Sequence, residues 1–181
     1  MVFEEVPSET WFSANMHWVI PAVIGFFTLL FGVWKYFFPR VGIGEVSQEK
    51  TIEDGKKRTN ILFIDDDTSF PVVEILKTAG WLNTSIQADI DSLDEPSLGA
   101  ADIVFVDIRG VGKKLGFKDD GLGLTSAIKQ KFSSKHVVVY SSETRGNRFH
   151  SGLKAADDFL AKNADPYEFQ KIVEDFVLAR I

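Results

Sequence analysis

Asp102-Ile103-Val104-Phe105-Val106-Asp107 decides how this chain is read: a run of β-branched and aromatic residues, closed by an acid. Apolar runs of this length and composition form buried strands of parallel sheets. In such sheets ligands gather at the carboxyl ends of the strands, which places Asp107 at a site. Outward in both directions, three further strand-like runs end on polar residues. Ile61-Leu62-Phe63-Ile64 precedes Asp65, Asp66 and Asp67; Val137-Val138-Val139-Tyr140 precedes Ser141; Phe159-Leu160-Ala161 precedes Lys162. An acid cluster, an acid, a hydroxyl and an ammonium are thus expected along one sheet edge.

Between the runs lie helix signals, and this alternation is the signature of an α/β domain. Strands are expected at 60–65, 85–90, 102–107, 136–141 and 157–161. The helices expected between and after them are Ser69 to Ala79, a short one around Glu95, Leu122 to Phe132, a short one near Phe149 to Ala155, and a last one opened by Asp165. In that last helix Asp165 is the N-cap, Pro166 takes the first position and Glu168 completes a capping box. Phe169, Ile172, Val173, Phe176 and Val177 make its apolar stripe. Asp67, Thr68 and Ser69 are the candidate caps of the first helix.

Upstream, every residue from Trp18 to Trp34 is apolar, Gly, Pro or Thr, and the run resumes as Tyr36-Phe37-Phe38 after Lys35. As a helix, residues 17–38 would rise about 1.5 Å per residue and span roughly 30 Å, enough to cross a bilayer. Lys35 and Arg40 follow the run and no basic residue precedes it. The expected orientation is therefore a single pass through a bacterial inner (plasma) membrane, with 1–16 outside and the bulk of the chain in the cytoplasm. Gly25 and Gly32 would share a helix face, a hint of a homo-oligomer. Residues 39–59 read as a polar linker with too few apolar residues for a core of their own. The formal charge of -6 excludes a nucleic-acid surface, and the absence of cysteine excludes disulfides and thiolate metal sites.

The segments Ile64-Asp65-Asp66-Asp67, Val106-Asp107, Asp120-Gly121-Leu122-Gly123-Leu124, Val139-Tyr140-Ser141-Ser142-Glu143 and Ala156-Asp157-Asp158-Phe159-Leu160-Ala161-Lys162 resemble, in order and spacing, the receiver domain of bacterial response regulators. The resemblance covers about residues 60–181. It implies a five-stranded, parallel, doubly wound sheet of flavodoxin-like topology, here preceded by the transmembrane helix. It also implies Mg²⁺ held by Asp66 and Asp107 directly, by Asp65 through water and by the backbone carbonyl of Arg109. Oxygen ligands of this kind suit that ion, and packed carboxylates need a cation. Asp107 would accept a phosphoryl group from a histidine kinase or phosphotransfer protein, with Lys162 neutralising charge. Ser141 would bind a phosphoryl oxygen afterwards, and Phe159 holds the place of the aromatic switch residue. Such a domain is a phosphoacceptor in signalling rather than a turnover enzyme, and its output is expected through a partner protein or oligomerisation.

Two departures stand out. Asn163 replaces the proline that usually follows the lysine, and the loop from Gly110 to Asp120 is long and lysine-rich (Lys113, Lys114, Lys118), which reads as a mobile insertion. These departures favour an alternative, a receiver-like membrane scaffold that is never phosphorylated. A remoter resemblance, to haloacid-dehalogenase-like phosphatases, rests on the Asp65-x-Asp67 spacing after a strand, with Ser141 and Lys162 in suitable order. It leaves Asp107 unexplained.

Overall fold

The computed structural model describes residues 43–142 and 151–180. The expected outer segment 1–16, the span 17–38 with Gly25 and Gly32, and the start of the linker lie outside the described residues. Among the described residues no helix is long and apolar enough to cross a membrane.

The chain runs α1 (Ile43–Arg58), β1 (Ile61–Ile64), α2 (Val72–Thr78), β2 (Thr84–Gln87), α3 (Pro96–Ala100), β3 (Ile103–Asp107), α4 (Asp120–Lys131), β4 (His136–Ser141), α5 (Ser151–Ala155), β5 (Asp158–Ala161) and α6 (Pro166–Ala179). The five strands form one sheet in the order β2-β1-β3-β4-β5, and every pairing is parallel. Strand residues alternate between two cores, as the pleat requires. Ile61, Phe63, Ile103, Phe105, Val138 and Tyr140 face α2 and α6, meeting Val73, Leu76, Phe169, Val173 and Val177. Leu62, Ile64, Val104, Val106 and Val137 face the other way, onto Leu98, Leu124 and Ile128. Both faces of the sheet are covered, so β1 and β3 are buried at every position.

At the last helix the Asp165 carboxylate accepts the Tyr167 N–H at 2.8 Å, and Pro166 fills the first turn. The cap falls where the sequence places it. Two readings need correction. Residues 43–58, part of the polar linker expected over 39–59 to have no core of its own, form helix α1. Ile52 packs onto the α2/α6 core, and the Lys57 carbonyl accepts from Asn83 Nδ2 at 3.1 Å. A Cβ at Gly55 would lie 2.6 Å from Val177 Cγ1, so glycine is what lets α1 approach α6 this closely. Short polar helices gain their stability from such docking rather than from their own composition.

The lysine-rich loop is likewise not a loose insertion. Val111 is completely buried, Leu115 and Phe117 pack against the α3/α4 core, and Asp89 accepts the Gly112 N–H at 2.7 Å and the Lys114 N–H at 3.1 Å. Three apolar anchors and one carboxylate fix its path.

Candidate functional site

Each strand end delivers one group. Asp65 directly follows β1, Asp107 ends β3, Ser141 ends β4 and Lys162 directly follows β5. Because β1 and β3 pair Ile64 with Val106, the next residue on each, Asp65 and Asp107, emerges at the same level. Carboxylate oxygens of Asp65, Asp66 and Asp107 all lie within 4.8 Å of one another. Asp65 is fully buried, Asp107 is 5% exposed, and Asp66 opens to solvent.

The Lys162 ammonium bridges the two buried acids, donating to Asp65 Oδ1 at 2.9 Å and to Asp107 Oδ2 at 2.8 Å. Burial alone would push the lysine to give up its proton, but its bonds to Asp107 and Asp65 win and hold the proton on above the ordinary lysine range. Asp107 moves the other way. Burial raises its carboxyl above the usual aspartate range, against the lowering by Lys162 and by the Arg109 N–H, while the nearby Asp65 adds to the rise. Among the described residues, one bonded ammonium therefore serves the two buried carboxylates, with Asp66 beside them. An oxygen-only set with net negative charge and one solvent-facing member fits a hard divalent cation such as Mg²⁺.

The loop approaches the pocket through glycine. A Cβ at Gly110 would fall 2.3 Å from Asp66 Oδ2, and one at Gly121 would fall 1.8 Å from the Asp107 carbonyl oxygen. The Gly121 N–H donates to the Ile108 carbonyl at 2.9 Å, so the start of α4 is pinned against the tail of β3. Asp120, just before it, sits at φ 46°, a left-handed conformation that aspartate tolerates better than most residues.

Of the other expected residues, Ser141 is buried at the end of β4, and its carbonyl accepts the Lys162 N–H at 2.7 Å. That bond ties the hydroxyl residue's strand to the lysine's loop. Phe159 is 43% exposed on β5. The Lys162–Asn163 peptide is trans. Asp67 turns away from the pocket: its Oδ1 accepts the Ser69 N–H at 3.1 Å and the Ser69 hydroxyl at 2.5 Å, which lowers its pKa. The Asp-x-Asp pairing of a phosphatase is thus not what this pocket assembles; its third acid is Asp107.

Sequence reasoning missed one member, Tyr140. Its hydroxyl donates to Asp65 Oδ2 at 2.6 Å from inside the core. Burial, then the bond to Asp65, pushes the phenol far above its ordinary range, so it remains a donor. The signal was present, since a tyrosine within a fully buried strand needs a partner for its hydroxyl.

Comparison with solved structures agrees with this architecture. The receiver domain of NtrX from Brucella abortus aligns with a TM-score of 0.52 and 27% identity, over 66% of this chain and 98% of that domain. NtrX of the same organism in complex with ATP aligns with a TM-score of 0.53 and 26% identity over 67% of this chain. The present chain covers only 27% of that longer one. A CheY-like response regulator receiver domain protein from Methanospirillum hungatei shares the fold at a TM-score of 0.52 and 18% identity, over 67% of this chain and 94% of that one. No family model matches the sequence, and no curated protein does. The domain has the fold of a response regulator receiver domain.

Proposed function

We propose that this chain is a membrane-anchored receiver that takes a phosphoryl group from the phosphohistidine of a histidine kinase or phosphotransfer protein onto Asp107. The observation that carries this reading is the Lys162 ammonium bonded at once to Asp65 and Asp107, with Asp66 closing the acid triad. A Mg²⁺ ion held by Asp65, Asp66, Asp107 and the Arg109 carbonyl would supply positive charge to the transferring oxygens. An Asp107 oxygen attacks phosphorus, the bond from phosphorus to the partner's imidazole nitrogen breaks, and the imidazole leaves. Lys162 stays charged throughout, because both carboxylates favour its protonated form. Ser141 then meets a phosphoryl oxygen. Holding these groups in place is most of the catalysis, since phosphoryl transfer asks little covalent work of a protein.

Residues 17–38 would anchor the domain to the bacterial inner membrane, with residues 1–16 outside and the receiver in the cytoplasm. Output would pass to a partner protein or to a second copy of the chain.

The test is the intact mass of the protein after incubation with Mg²⁺ and acetyl phosphate, beside Asp107→Asn. A phosphate-sized adduct, lost in the variant, is expected. Its absence from a folded wild-type protein would favour the second reading, an unphosphorylated membrane scaffold. That reading has one observation on its side: both oxygens of Asp65 are already engaged by protein donors.

A further inference from the structure

Asp65 is a carboxylate without solvent contact, and such a group is tolerated only when donors surround it. Its Oδ1 accepts from Lys162 Nζ and from the Asp67 N–H, each at 2.9 Å, and its Oδ2 accepts from the Tyr140 hydroxyl at 2.6 Å. Lys162 is shared with Asp107. The Asp67 N–H is backbone and would be present with any side chains. Tyr140 is, by contrast, a side-chain donor whose bond goes to Asp65 and not to Asp107.

Packing alone does not account for that hydroxyl. The Tyr140 ring is held by Phe70 at 5.4 Å between centroids, and by Phe63 and Phe169 at 6.0 Å. A phenylalanine would fill the same space. The rings fix where the oxygen points, and the length of its bond lies in the range of a hydroxyl donating to an ionised acceptor.

We propose that Tyr140 is a positioning residue that acts as a built-in neutral counter-donor, holding Asp65 in place and damping its charge so that the acid pocket stays assembled without a divalent cation and takes one up weakly. The inference rests on the cation site proposed above. A cation drawing on the Asp65 carboxylate weakens its bond to the phenol, so the hydroxyl favours the cation-free form of the pocket. Removing it shifts the balance toward the loaded form.

The experiment is a titration of the full-length protein in detergent micelles with MnCl2, and separately with MgCl2, for wild type and Tyr140→Phe, read by calorimetry and by near-ultraviolet difference absorption. Tyr140→Phe is expected to bind Mn²⁺ about five-fold tighter, the equivalent of one net hydrogen bond of ~1 kcal/mol. The wild type is expected to show a saturable tyrosine difference band that the variant lacks. Equal or weaker binding by a folded Tyr140→Phe overturns the proposal. So does a wild-type tyrosine spectrum unmoved at saturating cation, a readout that needs no variant. If neither protein binds cation, the cation reading falls and this inference with it; if wild type binds and the variant is no tighter, only this inference falls.

Discussion

The two edges of the sheet carry acids in opposite states. At the edge where the strands begin, each acid is matched. Asp157, before β5, receives both its oxygens' bonds from Lys129 Nζ at 2.9 and 2.8 Å and takes the Val137 N–H at 2.7 Å. Asp102, before β3, is bonded by Arg180 and by the Asn60 N–H, each at 3.0 Å. Asp158 meets His136 Nε2 at 2.8 Å. Buried Lys135 donates to the carbonyls of Gly99 at 2.8 Å and Ala101 at 2.6 Å, capping α3. At the edge where the strands end, Asp65 and Asp107 share Lys162, with a carboxylate oxygen of Asp66 within 4.8 Å of theirs. Among the described residues, one edge is finished by the chain itself, and at the other three acids gather around one bonded ammonium. Evolution of a binding site commonly leaves this mark, because groups that satisfy each other fully have nothing to offer a ligand.

The contrast can be broken or sharpened by substitution. The largest effect is expected from Gly121→Ala, because its Cβ would meet the Asp107 carbonyl oxygen at 1.8 Å. Backbone must move to admit it, at a cost of about 3 kcal/mol in urea denaturation, and acceptance of phosphate from acetyl phosphate should be lost. Next, Asp157→Asn at the matched edge should cost roughly 2 kcal/mol, since it leaves the partly buried Lys129 ammonium facing a neutral group. Asp89→Ala should cost about 1 kcal/mol and speed hydrogen exchange at the Gly112 and Lys114 amides, whose acceptor it removes.

The smallest effect carries the opposite sign. Asp107→Asn should stabilise the cation-free protein by about 1 kcal/mol at pH 7. Burial raises the Asp107 pKa in the folded state, so the stability contributed by its protonated form is fully present below the unfolded value of about 3.9 and is lost as pH rises through the raised folded value. The variant's advantage is thus expected at neutral pH and should vanish as pH falls toward about 4. Denaturation midpoints of both proteins at several pH values check it. An Asp107→Asn protein that is less stable than wild type at pH 7 would place the two edges in the same class.

Much of this was legible because the relevant residues sit on strong periodic signals. The runs 61–64, 103–107 and 136–141 could hardly be anything but buried strands, and parallel topology alone then brings Asp65, Asp107 and Ser141 to one edge. Asp165 with Pro166 is a start signal that local chemistry decides by itself. Contacts between distant segments escaped. In α1 the core-facing contribution rests on Ile52 and the bare backbone of Gly55, too little for a pattern of apolar spacing, and its stability comes from Val177, more than a hundred residues later. The order in the lysine-rich loop depends on Asp89, a residue with no motif around it. Tyr140 reads as one more strand former until Asp65, 75 residues away, is placed above it.

The glycines at the two ends of the β3–α4 connection bear on how this domain could be altered. Gly110 abuts Asp66, and Gly121 abuts the end of β3, so neither position admits a side chain. Gly116, at the loop's far turn, has open space around it, and Lys113, Lys114 and Lys118 face solvent. The connection is therefore clipped at both ends, anchored within by Leu115 and Phe117, and open to solvent at Gly116. A foreign peptide spliced at Gly116, with Val111, Leu115, Phe117 and the Asp89 bonds kept, could be displayed from this connection without being part of the acid pocket.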